Sequence, residues 1–243
     1  MPYLSRIWLN PLRTAAQQML RNPQALHAAV LQSSSRQPVT ERMLWRLELD
    51  TPHRASLLVL TRCAPSWEHL VEQAGWPSSD EPQALVRPYE PLLDRVMRGR
   101  EFAFRLRANP VSATRTPDKP SAAQQKRLAE PRPRGVRVPH RTAAHQLEWL
   151  TERAGRWGFE IPTNTEGHPT LRLTGRERLV FIKTTENFER RRVTLQTATF
   201  EGALRVTDPD LARTSLLTGV GSGRAYGCGL ITLAPLPPHT GGD

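Results

Sequence analysis

His27 is the side chain in this sequence best suited to moving protons. It follows Asn22 and Pro23, has Arg21 close by in the chain, and precedes a run of serines and Arg36. An imidazole titrates near neutral pH, so it can take a proton from a ribose 2′-hydroxyl or give one to a leaving 5′-oxygen. A single histidine on a helix is more often an ordinary surface or half-buried residue, and the sequence alone leaves both interpretations open.

A second unusual feature is the segment 219–229, which contains five glycines in eleven residues. Glycine lets the backbone approach a ligand closely, and Arg224 within the segment could contact a phosphate together with Gly221 and Gly223. The segment is not a Walker loop and matches G-x-G-x-x-G poorly, with a helix rather than a strand predicted before it. A phosphate-binding loop and a tight helix-to-strand connection are therefore equal alternatives.

Basic residues form three groups, in a chain with 34 Lys and Arg against 23 Asp and Glu and a formal net charge of +11. This excess predicts an anionic partner, with nucleic acid as the first expectation and an anionic membrane surface as the second. A two-stranded ribbon or an arginine-rich loop can bind phosphates along an RNA stem. The expected RNA-binding cations are Arg105 and Arg107 on a strand, Lys126, Arg127, Arg132, Arg134 and Arg137 in a proline-rich segment, and Lys183, Arg190, Arg191 and Arg192 at a hairpin. Arg36, which follows the serines after His27, is also expected to bind RNA.

Other kinds of chemistry have little support. Cys63 and Cys228 are too few for a disulfide framework and lack zinc-type spacing. No H-E-x-x-H, paired-carboxylate or G-x-S-x-G pattern is present, so no metal site and no cofactor is expected. No apolar stretch approaches the ~18 residues of a membrane span, and no signal peptide is evident. The sequence therefore predicts a cytoplasmic protein without a membrane span, and no membrane is expected among its partners.

The elements that would position these residues form an α+β pattern with antiparallel sheets. In the first half, the order is strand, helix, strand, strand, helix and strand, which is the ferredoxin-like order. Asn22 is expected to cap a new helix that has Pro23 as its first residue, and Ser66 to cap a later one. The expected strands are 3–9, 43–49, 56–61 and 102–108, and the expected helical stretches are 12–31 and 66–74.

The second half repeats this pattern after a basic, proline-rich linker. Gly158 is expected to end one helix, and Asp208 with Pro209 to begin another. The expected helices are 141–157 and 210–217, and the expected strands are 171–173, 179–183, 192–200 and 230–233. We predict three parts: a first ferredoxin-like domain over 1–112, a linker over 113–139, and a second ferredoxin-like domain over 140–243.

Nine segments in both halves of the chain together resemble the CasE family, the CRISPR RNA-processing endoribonucleases of type I-E systems. Each segment alone is weakly specific, but their combination and order match the family. The segments are MPYLS at 1–5, NPQALH at 22–27, FRLRANP at 104–110, RVP at 137–139, WL at 149–150, FEGAL at 200–204, DP at 208–209, GVGSGRAYGCGL at 219–230 and LAP at 233–235.

The resemblance implies two tandem ferredoxin-like (RRM-like) domains. It also implies metal-independent cleavage of precursor CRISPR RNA at the base of the repeat stem-loop. The product RNA would be retained in Cascade, with the other Cascade subunits as partners. Cleavage by 2′-hydroxyl attack would leave a 5′-hydroxyl and a cyclic phosphate.

The resemblance also assigns roles to individual residues. His27 matches the catalytic histidine of the family, and Ser35, in a run of three serines, matches a serine that follows it. Gln24 stands where the family commonly has tyrosine. Gln24 cannot act as an acid or base, but it could hydrogen-bond the phosphate or the ribose. Arg224 keeps the charge of a common family lysine.

Two other functions remain open at the sequence level. The departure at Gln24 favours a non-catalytic subunit that binds an RNA stem within a ribonucleoprotein. A basic protein bound to a membrane surface is the third possibility, although no amphipathic helix with a strongly basic face is present.

Overall fold

The structure is a computed structural model that describes residues 1–34, 39, 41–51, 53–130, 135–184 and 190–236. Within these residues, no helix has the length and apolar character needed to cross a membrane. The main architecture is two antiparallel sheets, with helices packed on the outer face of the first sheet. A separate two-stranded sheet is formed by residues 111–114 and 136–139, at the two ends of the predicted linker.

The first sheet has four strands in the order β2-β3-β1-β4. Its strands are β1 (Tyr3–Leu9), β2 (Leu44–Thr51), β3 (Arg54–Thr61) and β4 (Ala84–Pro88), and its helices are α1 (Thr14–Arg21), α2 (Pro23–Leu31) and α3 (Glu68–Ala74). Successive strand residues point to opposite faces, so Leu57 and Val59 pack with the helices. Leu58 and Leu60 pack toward the second sheet. The unbroken apolar run in β3 therefore reflects a strand buried on both faces.

The predicted fourth strand of the first domain belongs to the second sheet instead. After α4 (Glu90–Leu93), strand β5 (Glu101–Ala108) pairs with a strand of the C-terminal half, with Arg105 opposite Glu201 and Glu101 opposite Arg205. The alternating pattern identified a strand correctly, but these opposite charges and the apolar face of β5 match the C-terminal half. β4 instead occupies the edge of the first sheet beside β1. Its exposed side chains and final proline make it hard to recognise as a strand from the sequence.

The second sheet contains β8 (Phe159–Glu160), β9 (Leu171–Thr184), β10 (Arg190–Val206) and β11 (Ile231–Ala234) together with β5. Its strand order is β11-β5-β10-β8, and β9 also pairs with β10. The two predicted strands 171–173 and 179–183 are parts of one continuous strand, β9. Its pairing register with β10 shifts between Thr199 and Phe200. The hydrophobic core packed against this sheet includes Phe104, Leu150 and Phe200. The helical elements of the C-terminal half are α6 (Ala143–Ala154), a short helical turn (Gly155–Trp157), α7 (Pro209–Thr218) and a second turn (Arg224–Tyr226).

The predicted linker contains ordered structure. Strands β6 (Val111–Thr114) and β7 (Val136–Pro139) pair, and α5 (Ala122–Leu128) lies between them in sequence. Ser121 and Gln124 form a reciprocal capping box that starts α5. The prolines that suggested a linker flank these short elements or, like Pro139, end them, so they do not prevent pairing.

The predicted helix boundaries have mixed outcomes. Asn22 accepts a hydrogen bond from the Gln24 backbone and Pro23 opens α2, as predicted. Asp208 caps α7, and Gly158 ends the turn after α6 with a φ of 81°. Ser66 is not a cap, because α3 begins one residue later than that role requires, after Trp67.

Candidate active site

The start of α2 sets the position of the candidate catalytic side chain. The Asn22 side chain caps the helix at 3.0 Å from the Gln24 backbone nitrogen. The cap places Gln24 and His27 one turn apart on one side of α2. Leu26 and Val30 face the hydrophobic core. His27 is therefore held half-buried at the edge of that core.

The His27 ring contacts the buried side chain of Trp45 on β2. The Trp45 indole N–H donates to His27 Nδ1 over 3.4 Å, which is long for a hydrogen bond. Burial is the largest cause that lowers the pKa of His27, and the positive charge of Lys183 lowers it further. The ring is therefore mostly neutral at pH 7, and a neutral ring that accepts at Nδ1 carries its proton on Nε2.

The glycine-rich segment packs behind this contact. Gly227 has a φ of 79°, and a Cβ atom added there would lie 2.6 Å from Cζ3 of Trp45. A Cβ atom on Gly219 would similarly lie 2.6 Å from a methyl carbon of Leu44. Glycine at these positions thus allows close packing against β2, which favours the tight-connection interpretation for Gly219 and Gly227.

Arg224 takes part in the internal structure of this segment. Its guanidinium donates to the carbonyl of Gly221 at 3.1 Å and to that of Thr218 at 3.0 Å. Partial burial, followed by the nearby charge of Arg42, lowers the pKa of the Arg224 guanidinium. Phosphate binding by Arg224, Gly221 and Gly223 stays a prediction, since these contacts use only part of the guanidinium's donor capacity.

The end of the β9–β10 hairpin reaches the same place. The ring of Phe181 packs edge-on against Tyr226 of the glycine-rich segment, with 4.8 Å between ring centres. The side-chain amide of Gln24 makes two hydrogen bonds, each 3.1 Å long, with the backbone of Thr184. The site thus joins α2, β2, the glycine-rich segment and the hairpin, although these segments lie far apart in sequence.

The hairpin cations divide between two faces. Lys183 and Arg191 are cross-strand partners and so share one face, the face of Phe181. Arg190 and Arg192 lie on the opposite face, and all four cations are exposed. The first face adjoins the site, because Phe181 on that face packs against Tyr226 and Lys183 is close enough to lower the pKa of His27.

Comparison with known proteins identifies the family. Residues 2–235 match the family model described as CRISPR associated protein. The CRISPR-associated endoribonuclease Cse3 of Thermus thermophilus is 32% identical over 241 residues, covering 96% of this chain and 100% of Cse3. The chain belongs to the CasE/Cse3 family. The CRISPR system Cascade subunit CasE of Escherichia coli is 27% identical over 197 residues, covering 79% of this chain and 89% of CasE.

The structural similarity supports the same assignment. A structure of Cse3 bound to a 19-nucleotide RNA aligns with a TM-score of 0.71 at 32% identity, covering 96% of this chain and 99% of that one. The two-domain ferredoxin-like fold of the CasE/Cse3 family is therefore the fold of this chain, as the sequence predicted.

Arg105 and Arg107, predicted to bind RNA, are already paired with carboxylates in this CasE/Cse3 family member. Arg105 lies 2.6 Å from Glu201 and 3.3 Å from Glu48, and Arg107 pairs with Glu177. Arg105 also lines a cavity of about 820 Å³ between the two sheets. Their contact with RNA stays a prediction, and the structure assigns them a role in joining strands.

The other predicted residues lie in different places. Lys126, Arg127 and Arg137 are exposed on α5 and β7, elements that are not part of the His27 site. Ser35, Arg36, Arg132 and Arg134 lie outside the described residues. Among the described residues, no group of three or more His, Cys, Asp or Glu side chains could hold a metal ion.

Sequence patterns do not identify three residues of the site: Trp45, Thr184 and Tyr226. Trp45 follows the alternating pattern of β2, and that pattern correctly predicts its burial but not its contact with His27. Thr184 contributes through its backbone, which has no sequence signature. Tyr226 stands inside the glycine-rich segment, where an aromatic residue among glycines was a usable sign of a packing contact.

Proposed function

We propose that this protein is a CRISPR RNA-processing endoribonuclease that cuts the precursor at the base of the repeat stem-loop. The observation that carries the proposal is the position of His27. Its ring is half-buried, has a lowered pKa, and lies beside Lys183 at the end of a basic hairpin. The relative Cse3 is named an endoribonuclease, and one of its structures is described as a pre-cleavage complex with RNA.

The reaction uses a nucleophile that the RNA itself supplies. The ribose 2′-oxygen attacks the adjacent phosphorus, the bond from phosphorus to the 5′-oxygen breaks, and a cyclic phosphate and a 5′-hydroxyl form. One proton leaves the 2′-hydroxyl and one reaches the 5′-oxygen, and His27 carries one of these transfers. Because nucleophile and leaving group both belong to the RNA, this route needs no metal-bound water.

Lys183 and Arg191 supply positive charge on the hairpin face that adjoins His27. Negative charge grows on the phosphoryl oxygens as the 2′-oxygen attacks, so fixed cations stabilise the transition state more than the ground state. Arg190 and Arg192, on the other face, bind phosphates along the RNA stem. The protein joins the other Cascade subunits, as the name of the relative CasE suggests. Retention of the mature RNA is part of the same proposal.

The direct test is His27→Ala with the repeat RNA encoded beside the gene. We expect cleavage to stop while the affinity for the uncleaved repeat changes little. His168→Ala is the control, because His168 is exposed in the loop before β9. Wild-type cleavage should persist in EDTA. Unchanged cleavage by His27→Ala would exclude His27 as the proton-transfer residue, and loss of activity in EDTA would exclude the metal-independent route.

A non-catalytic RNA-stem-binding subunit is the second candidate. The observation in its favour is Gln24, whose amide has no titratable group and is engaged by Thr184. Incubation of the wild-type protein with the repeat RNA separates the two candidates, since the enzyme gives one discrete cut and the binding subunit gives none.

A further inference from the structure

The contact between Gln24 and Thr184 pairs a side-chain amide with a backbone peptide group. Gln24 Nε2 donates to the Thr184 carbonyl oxygen, and Gln24 Oε1 accepts from the Thr184 N–H. A primary amide and a peptide have complementary donors and acceptors, so both bonds form only in one relative orientation. The contact therefore fixes the orientation of the hairpin end as well as its distance from α2.

Thr184 offers these groups because of its position in the sheet. It is the last residue of β9, and its described partner strand is β10. Its N–H and carbonyl both reach Gln24, so they point away from β10, toward the outer edge of β9. Edge-strand groups of this kind need a partner that is not a strand, and Gln24 provides one.

We propose that Gln24 is a positioning residue that holds the hairpin end on α2 and thereby keeps Lys183 beside His27. Gln24 and His27 lie one helical turn apart, and Lys183 precedes Thr184 in the chain. Fixing Gln24 to Thr184 thus brings His27 and Lys183 together as the adjacent pair. The inference rests on the proposed function for its catalytic meaning, while the geometric part stands without it.

This role explains how the chain manages without tyrosine at position 24. The Gln24 amide cannot transfer a proton, and its Nε2 and Oε1 atoms each form one hydrogen bond with Thr184, so a contact of Gln24 with RNA stays a prediction. Gln24 therefore contributes geometry rather than acid-base chemistry. The ring contact between Phe181 and Tyr226 supports the same hairpin end from the glycine-rich segment, so the hairpin is held at two points.

The first experiment is Gln24→Met, which keeps side-chain length and removes both polar atoms. We expect the single-turnover cleavage rate to fall about 10- to 100-fold, as for a misplaced catalytic group, with little change in RNA affinity. The pKa of His27, measured by NMR titration of the free protein, should rise, because Lys183 moves away and the ring becomes less buried. Gln18→Met, at an exposed position on α1, is the control.

Two further variants make the test specific. Added to Lys183→Met, the Gln24→Met substitution should raise the His27 pKa by less than it does in the wild-type protein, because the charge that would move away is already absent. Thr184→Pro removes the N–H that Gln24 accepts while leaving Gln24 intact, and proline is tolerated where an edge-strand N–H faces away from its neighbour. It should shift the pKa in the same direction but less.

An unchanged His27 pKa in Gln24→Met would overturn the proposal. A pKa shift of equal size with and without Lys183 would also overturn it, since Gln24 would then act on His27 by another route. If the wild-type protein does not cut the repeat, the proposed function fails, while a raised His27 pKa in Gln24→Met would still support the positioning role.

Discussion

Arginine serves different purposes at the end of the β9–β10 hairpin and in the groove between the two sheets, which is the cavity lined by Arg46, Glu48 and Arg105. In the groove, Arg46 is only 3% exposed and Arg105 is 32% exposed, and both contact Glu48. At the hairpin end, Arg190 and Arg192 are exposed to solvent. Buried arginine must be paired with carboxylates or carbonyls, whereas exposed arginine can exchange water for phosphate.

The net charge of +11 therefore does not measure how many cations can bind RNA, because some of them are paired with carboxylates inside the protein. Arg46 donates to backbone carbonyls of Arg105 and Leu230 and to the hydroxyl of Thr232, so it links β2 with β5 and β11. A cation used in this way stabilises the contact between sheets. We therefore expect the cations in the groove to serve stability, and the hairpin and the His27 site to serve RNA binding and cleavage.

The largest effect is expected for Arg46→Met in the groove. The substitution leaves Glu48 with fewer cationic partners and removes donors from two carbonyls, so the free energy of unfolding should fall by about 3 kcal/mol. Urea unfolding measures the change, with Arg87→Met on the exposed edge strand β4 as the control. Equal stability of the two variants would show that Arg46 does not join the sheets.

The second effect concerns the packing behind His27. Gly227→Ala should slow cleavage about 10-fold or more, because its Cβ would displace Trp45, which contacts His27. Gly167→Ala is a matched control, since both glycines have a φ of 79° but Gly167 has no atom within 4 Å of an added Cβ. Single-turnover assays compare them, and equal rates would separate the glycine-rich segment from catalysis.

The third effect should appear in the salt dependence of RNA binding. Arg192→Met on the hairpin should reduce the slope of log affinity against log salt by about one unit, as expected for one lost phosphate contact. Arg105→Met should leave that slope unchanged, because Arg105 is paired with Glu201 and Glu48. Filter binding at several salt concentrations gives both slopes. A larger slope change for Arg105→Met would reverse the roles of the two regions.

The sequence predicted the local elements better than it predicted their partners. Residues 3–9, the helix start at Asn22 and the cap at Asp208 follow from short patterns, and the structure has them. The assignment of 102–108 to the first sheet was wrong, because alternation does not encode which strand lies alongside. Pairing depends on contacts such as that between Arg105 and Glu201, about a hundred residues apart.

The site shows the same limit. His27 could be singled out because imidazole chemistry belongs to the residue type. Its neighbours could not, because Trp45 and Lys183 reach it only through the fold. Gln24 stands out in the sequence as a departure from tyrosine, yet its contact with the backbone of Thr184 depends on where β9 ends. Backbone partners leave no trace in side-chain patterns.

The smallest effect is expected at Lys183, and it tests the electrostatic link within the site. A positive charge disfavours the imidazolium form, so Lys183→Met should raise the pKa of His27 toward its ordinary value, while burial keeps part of the depression. NMR titration of the free protein measures this directly. In cleavage assays, the limb of the kcat/KM profile that reports His27 in the free enzyme should also move to higher pH.

Lys126→Met, on α5, is the matched control and should leave the His27 titration unchanged. Added salt should raise the wild-type pKa and have less effect on Lys183→Met, because Lys183 is exposed and its charge is screened. A His27 pKa that does not respond to either change would mean that burial alone lowers it. Lys183 would then act on the RNA without changing the titration of His27. The hairpin would be joined to the helix of His27 only through contacts such as that between Gln24 and Thr184.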